Sequence, residues 1–272
     1  MVTEPHQWYC AAVSTTVPVQ PFEVAIGDDV LSDLRARLAH TRWPDEVPGT
    51  DWDDGTNMAA LREIVSDWQS FDWRDRERRL NLLPQFTAEV GDTRVHFLHV
   101  RGRGPSPFPL LLTHGWPSTF CEYLKLIPLL TDPGANGGDP SDAFDVVVPS
   151  LPGYGFSDRP ATPGMTNDAI ADLWSRLMVE GLGYRSFGAQ GSDIGAGVTA
   201  RLGLRHPDRL VGIHLSATGM PRPPEPLTDA ERDYFATVER WDADEGAYAH
   251  MHAARPQTLG YGLTDSPVGL AA

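Results

Sequence analysis

The chain has 272 residues, 41% hydrophobic and 22% charged, ordinary values for a globular protein and unlike those of a disordered, collagenous or coiled-coil chain. Its 37 acidic against 22 basic residues give a formal charge of −15, a surface that repels phosphate backbones and anionic lipid. Two cysteines, Cys10 and Cys121, are too few for a disulfide framework or a cysteine zinc site. No apolar run approaches the roughly 20 residues of a membrane span, and residues 1–20 lack a basic-then-apolar leader pattern. A cytoplasmic protein that engages neither nucleic acid nor membrane is expected.

Residues 1–21 mix Pro5, Pro18 and Pro21 with Ser14-Thr15-Thr16 and show no periodicity, so they read as a tail. Leu31, Leu34 and Leu38 recur at helical spacing behind Asp28 and Asp29, and the pattern stops before Pro44. A second helix is expected from about Asn57 to Gln69, with Leu61, Ile64, Val65 and Trp68 on one face. These helices place a helical block over 22–85, which also carries Trp43, Trp52 and Trp73.

From Phe86 the pattern changes. Residues 86–90 and 94–100 flank Gly91-Asp92 and read as a hairpin. A short strand over 109–113 ends in His114-Gly115-Trp116-Pro117. There follow a helix over about 119–130, a strand over 144–148, a helix over about 167–180 and a strand over 186–190. The last strand runs through Gly191-Ser192-Asp193-Ile194-Gly195 into a helix ending near His206-Pro207, and 211–215 is one more strand. Short apolar strands alternating with amphipathic helices predict an α/β fold over 86–220: a mostly parallel sheet with helices on both faces and the hairpin as its antiparallel edge. Pro221-Arg-Pro-Pro-Glu-Pro226 opens a final region, 221–272, as a stiff linker before helical material with Tyr234, Phe235 and Trp241.

The chemistry concentrates in Gly191-Ser192-Asp193-Ile194-Gly195, where a strand passes into a helix. A nucleophile on such a turn needs small residues two places before and two after it, because the backbones approach closely. Centred on Asp193, both flanks are glycine; centred on Ser192 they would be Gln190 and Ile194. The register selects a carboxylate. A serine attacking saturated carbon would leave an ether, whereas a carboxylate leaves an ester that water can cleave. The alternative for Asp193 is a helix N-cap. His114-Gly115-Trp116-Pro117 follows the strand expected beside it, and the backbone N–H groups of Trp116 and Ile194 would converge on the carboxylate's carbonyl oxygen as an oxyanion hole. A cis Pro117 would fix that loop.

Several segments together resemble the microsomal-type epoxide hydrolases, members of the α/β-hydrolase fold with a distinctive N-terminal region. They are Thr41-Arg-Trp-Pro-Asp45, Phe71-Asp-Trp-Arg74, Leu80-Asn81 with Pro84-Gln-Phe86, Leu111-Leu-Thr-His-Gly-Trp-Pro117, Val148-Pro-Ser-Leu-Pro-Gly-Tyr-Gly-Phe-Ser157, Gly188-Ala-Gln-Gly-Ser-Asp-Ile-Gly195, Gly246-Ala-Tyr248 and Arg255-Pro-Gln257. The resemblance implies that 22–85 is the family's N-terminal region and 221–272 the start of its lid. Asp193 falls on the nucleophile, Trp116 and Ile194 on the oxyanion donors, and Tyr248 on a lid tyrosine that assists epoxide opening. Trp116, Ile194 and Tyr248 are thereby also expected to touch the substrate, a small hydrophobic epoxide that is converted with water to a vicinal diol. No cofactor is implied. His-x-His at 250 and 252 has no third ligand, so no metal site is expected.

The same resemblance implies a histidine base and its acid partner in a later stretch that has no counterpart among these residues, along with the last strands of the sheet. His206 reads as a surface residue, His214 as a satisfied core histidine, His114 as part of the oxyanion loop, and His250 and His252 as packing or solvent-facing. This polypeptide is therefore expected to form the ester on Asp193 without completing turnover, and to associate through the exposed sheet edge. The alternatives are a haloalkane dehalogenase-like hydrolase, which shares an Asp elbow and a His-Gly-x-Pro loop, and a catalytically silent remnant acting as a binding module.

Overall fold

A computed structural model of the chain describes residues 16–216, 219 and 221–272. Cys10 and most of the expected tail lie outside the described residues; Cys121 is a half-buried free thiol. The chain divides into two units. One comprises the described residues up to Val24 with Arg78–Gly219, the other Ala25–Glu77 with the described residues from 221 to 272.

The first unit is built on a seven-stranded sheet. Its strands are β1 (Val19–Pro21), β2 (Gln85–Val90), β3 (Thr93–Val100), β4 (Phe108–Thr113), β5 (Phe144–Pro149), β6 (Phe187–Ser192) and β7 (Leu210–Ser216), in the order β1-β2-β3-β5-β4-β6-β7. β5, β4, β6 and β7 run parallel, and β3, β2 and β1 continue the sheet antiparallel. The β2–β3 hairpin closes on Gly91-Asp92, where Gly91 takes φ 65° without the Cβ clash another residue would meet. Successive strand residues point to opposite faces, yet Val146, Val147 and Val148 are all completely buried, so helices and loops cover both faces. Trp174, Leu177 and Met178, from α5 (Asn167–Arg176) and the turn after it, pack with Phe97, Leu111, Phe187 and Leu202 in one core. Each such side chain contributes about 2 kcal/mol or more of apolar burial.

Four expectations in this unit need correction. The helix over 119–130 is two short pieces, a tight turn Phe120–Tyr123 and α4 (Ile127–Thr131). Pro128 has no N–H to continue a helix and instead sits in the first turn of a new one. The helix over 167–180 is regular only to Arg176 and then widens, the Leu182 N–H reaching back five residues to the Leu177 carbonyl at 3.0 Å. His214 is exposed rather than a core histidine, because β7 is the sheet's edge and its residues Val211 and Ile213 are open to solvent as well. Val19–Pro21, expected within the tail, pairs with β2.

The second unit is helical: α1 (Asp28–Ala39), α2 (Met58–Ser70), the first residues of α3 (Trp73–Leu80), α7 (Asp229–Asp244), α8 (Ala247–Ala254), α9 (Pro256–Asp265) and α10 (Pro267–Ala271). Leu38 of α1, Leu61 and Val65 of α2 and Val268 of α10 form a small core with Trp43 and Trp68 against it. Arg37 bridges Asp265 at 2.9 Å across this unit. Sequence-distant segments thus share one core. Among the described residues no helix is long and apolar enough to cross a membrane.

Candidate active site

The sheet order sets the site. The chain crosses from β4 to β5 on one side and returns to β6 on the other, so the loops leaving β4 and β6 lie side by side at the carboxyl ends of the parallel strands, the switch point where open α/β sheets bind ligands. Thr113 is in register with Gly191, which brings His114-Gly115-Trp116 against Ser192-Asp193.

Asp193 joins β6 to α6 (Ile194–Arg205) at φ 53° and ψ −122°. It is one of two described non-glycine residues with positive φ, a conformation that costs of order 1–3 kcal/mol and concentrates at functional sites. Both flanking glycines are required. A Cβ on Gly191 would overlap the Gly195 carbonyl, and one on Gly195 would sit 2.6 Å from the Thr113 carbonyl carbon and 2.8 Å from the His114 carbonyl oxygen. A Cβ on Gly115 would press on Asp193, 2.5 Å from its Cβ. The sequence rule of glycine two before and two after has this steric cause.

The N-cap alternative fails on geometry. Asn57, Thr166 and Thr228 each accept a hydrogen bond from their own helix through the side chain, whereas the Asp193 side chain makes no such bond and its main-chain oxygen takes the Ala196 N–H at 3.0 Å. The carboxylate turns away from its helix to the neighbouring loop, where Oδ1 accepts the Trp116 N–H at 2.8 Å. Asp193 is exposed. The Ile194 N–H, expected as a second donor, makes no hydrogen bond to the carboxylate; as the first residue of α6 it has no intrahelical acceptor either.

The loop is held rigidly. The Trp116–Pro117 peptide is cis. His114 is buried, its Nδ1–H donating to the Gly115 carbonyl at 3.0 Å and its Nε2 accepting the Leu151 N–H at 3.1 Å. Burial pushes its titration below the usual histidine range. With both ring nitrogens committed, His114 is a neutral strut of the loop. The Tyr123 hydroxyl donates to the Thr113 carbonyl at 2.9 Å, fixing the end of β4. Ser192, set aside as nucleophile, donates to Glu122 Oε1 at 3.3 Å.

One residue escaped the sequence reading. Tyr154 stacks edge-on against His114, ring centres 5.5 Å apart, and burial together with the charge of Asp193 raises its phenol above the ordinary range. Its signal was Tyr between Gly153 and Gly155, both at positive φ, inside a segment quoted only for its resemblance. Of the expected site residues, the structure brings Asp193, Trp116 and Ile194 together. Tyr248 belongs to the second unit, on α8, with its ring edge-on to Trp241 and His252. His206 is half-buried and paired with Asp172 at 2.7 Å. Among the described residues no cluster of His, Cys, Asp or Glu could hold a metal ion.

Comparison with known proteins fits this arrangement. A family model described as epoxide hydrolase N terminus matches residues 19–123, and one described as alpha/beta hydrolase fold matches 109–243. The solved structure of Aspergillus niger epoxide hydrolase superposes with a TM-score of 0.83 at 34% identity, over 95% of this chain and 69% of that one. The chain belongs to the epoxide hydrolase family. Other members similar to it are a Stigmatella aurantiaca protein named provisionally as an epoxide hydrolase, 43% identical over 93% of this chain, and rabbit (Oryctolagus cuniculus) epoxide hydrolase 1, 34% identical over 93%. The chain spans 58% and 61% of the length of those two family members. The match to the N-terminal model covers the helical block containing Thr41–Asp45 and Phe71–Arg74, and the fold is the expected α/β-hydrolase fold.

Proposed function

We propose that this chain carries the nucleophilic half of an epoxide hydrolase, with Asp193 as the residue that is alkylated. The observation that carries the reading is the single bond from the Trp116 N–H to Oδ1 of an exposed, strained carboxylate that its own helix does not use. Oδ1 is held and Oδ2 is left to attack. A new Oδ2–carbon bond forms as the epoxide carbon–oxygen bond breaks, and the released oxygen takes up a proton. Tyr248, in the role the family resemblance suggests, supplies that proton, because an unprotonated alkoxide is a poor leaving group.

Hydrolysis then needs water at the Asp193 carbonyl carbon. As the tetrahedral intermediate forms, negative charge develops on Oδ1, where the Trp116 N–H already points and where the unpaired Ile194 N–H supplies the second donor. Its collapse releases the diol and leaves one oxygen of water in the carboxylate. The base for that step is not supplied by the buried histidines: His96 and His114 have both nitrogens engaged, and His99 lies at the opposite end of the sheet. The resemblance implies a base with no counterpart among these residues, so a polypeptide of these 272 residues is expected to accumulate the ester. The family-model match across 19–123 favours an epoxide over a haloalkane.

The test is intact-mass spectrometry after incubation with a small aryl epoxide such as styrene oxide. One added epoxide mass per chain, absent from Asp193→Ala, supports the reading; no adduct, or an adduct that survives Asp193→Ala, contradicts it. Halide released from a haloalkane, with no epoxide adduct, would favour the dehalogenase alternative.

A further inference from the structure

At the end of the sheet opposite Asp193, a groove of about 660 Å³ opens between the start of β2, the end of β3 and α4. Register fixes its position: Val100 faces Val146 near the start of β5, and Phe144 faces Phe108 at the start of β4, whereas Asp193 follows the last residue of β6. Nothing in the proposed chemistry uses this end.

A polar cluster lies beneath the groove. Asp145 Oδ2 accepts the Tyr184 hydroxyl at 2.7 Å and Arg101 Nη1 at 2.6 Å, and Oδ1 accepts the Gly102 N–H at 2.8 Å. Tyr184 has one hydroxyl proton, and an acceptor-only carboxylate claims it. The His99 Nε2, 2.9 Å from the same phenolic oxygen, must then be the donor of that contact. Burial depresses the titration of His99 to about 4, so the ring is neutral at neutral pH. A neutral ring with its proton on Nε2 carries a lone pair on Nδ1, and among the described residues Nδ1 has no hydrogen-bond partner and is not one of the polar atoms sealed from solvent. His99 is 8% exposed and lines the groove. A mostly buried residue of the groove's lining thus carries an unused acceptor.

The surroundings narrow what would bind there. The Arg101 and Arg103 side chains are 64% and 80% exposed, and among the described residues each is engaged through Nη1 alone, Arg101 on Asp145 and on the Tyr184 hydroxyl oxygen at 2.6 Å and Arg103 on Asp132 at 3.1 Å. Their remaining N–H groups are donors at the groove's rim. Phe86 packs edge-on to His99, ring centres 6.3 Å apart, and with Pro84 and Pro128 gives an apolar wall. We infer that the groove binds a small hydroxymonocarboxylate with an apolar body: its hydroxyl donates to His99 Nδ1, its carboxylate takes the outward N–H groups of Arg101 and Arg103, and its body lies on Phe86 and the prolines. Asp132 also lines the groove and is answered by Arg103, which disfavours a second negative charge on the ligand.

The probe is mandelate, titrated into the full chain carrying ¹⁵N-histidine, with phenylacetate (no hydroxyl) and benzyl alcohol (no carboxylate) as controls. Mandelate is expected to shift the His99 Nδ1 resonance saturably, with Kd near ~1 mM or tighter. Each control should bind about fivefold or more weakly, the loss of one buried hydrogen bond or one charge-assisted contact. Arg103→Gln, an exposed change that leaves the Asp145 cluster intact, should weaken mandelate about threefold. An unsaturated or absent His99 shift at about 20 mM mandelate, equal binding of phenylacetate, or an unchanged affinity in Arg103→Gln would each overturn the assignment.

Discussion

Two groups of polar side chains within the sheet unit make opposite use of burial. At the β3 side, His96 is completely buried and holds Ser150 Oγ at 2.9 Å and Gln85 Oε1 at 3.0 Å. Both ring nitrogens are satisfied, and the surrounding protein keeps the ring neutral, its titration pushed down to about 3. At the carboxyl ends of β4 and β6, Asp193 is exposed, sits at φ 53° and accepts the bond from Trp116 on one of its two oxygens. A saturated polar group in an unstrained backbone stabilises the fold; an incompletely used one on a strained backbone is available for chemistry. The difference separates scaffold from site without reference to any relative.

The largest expected effect breaks the reactive side outright. Asp193→Asn keeps the size and the Trp116 contact but removes the nucleophile, and epoxide alkylation followed by mass spectrometry should fall to background. Next is the packing that sustains the strain. Gly195→Ala places a Cβ against the backbone of Thr113 and His114, atoms that cannot swing aside, and urea unfolding should show a loss of about 3 kcal/mol.

The scaffold side is probed by acid. His96 and His99 bind a proton near pH 6.5 when unfolded but only near 3 and 4 when folded. Their folded values are depressed, so the unfolded state takes up more protons as pH falls. Stability should be fully present above about pH 6.5 and decline between there and about pH 4, by about 1.4 kcal/mol per pH unit for each ring. His96→Leu should be less stable at neutral pH, with a shallower acid limb in pH-dependent urea titrations; an unchanged limb would show that His96 is not held neutral. The smallest effect sharpens the assignment within the elbow. Ser192→Ala removes a long contact to Glu122 and should alter stability by about 0.5 kcal/mol or less, with adduct formation unchanged.

What could be read from sequence follows from where the information lies. Leu61, Val65 and Trp68 on one helical face and the consecutive valines 146–148 announce their elements because local pattern and burial agree. Asp193 was legible because the elbow's steric rule names two glycines by position. α3 was not, since Arg74–Arg79 offers no apolar stripe; within the second unit, Glu77 accepts the Ile26 N–H at 2.7 Å and Trp73 Nε1 at 3.1 Å, contacts that periodicity does not encode. β1 exists only by pairing with β2, Val19 opposite Ala88. His214 misled because an apolar strand suggests burial, while exposure depends on its place in the sheet order. The pairing of His99 with Tyr184 spans 85 residues of sequence, beyond any local signal.

The central claim is that the Asp193 carboxylate itself becomes the ester. Peptide mapping of the styrene oxide-treated chain tests it most directly. The added mass is predicted on the side chain of Asp193 alone, and brief alkaline treatment should remove it as the diol, as expected of an ester. A stable adduct on Cys121, a histidine or Ser192, with Asp193 unmodified, would contradict the account.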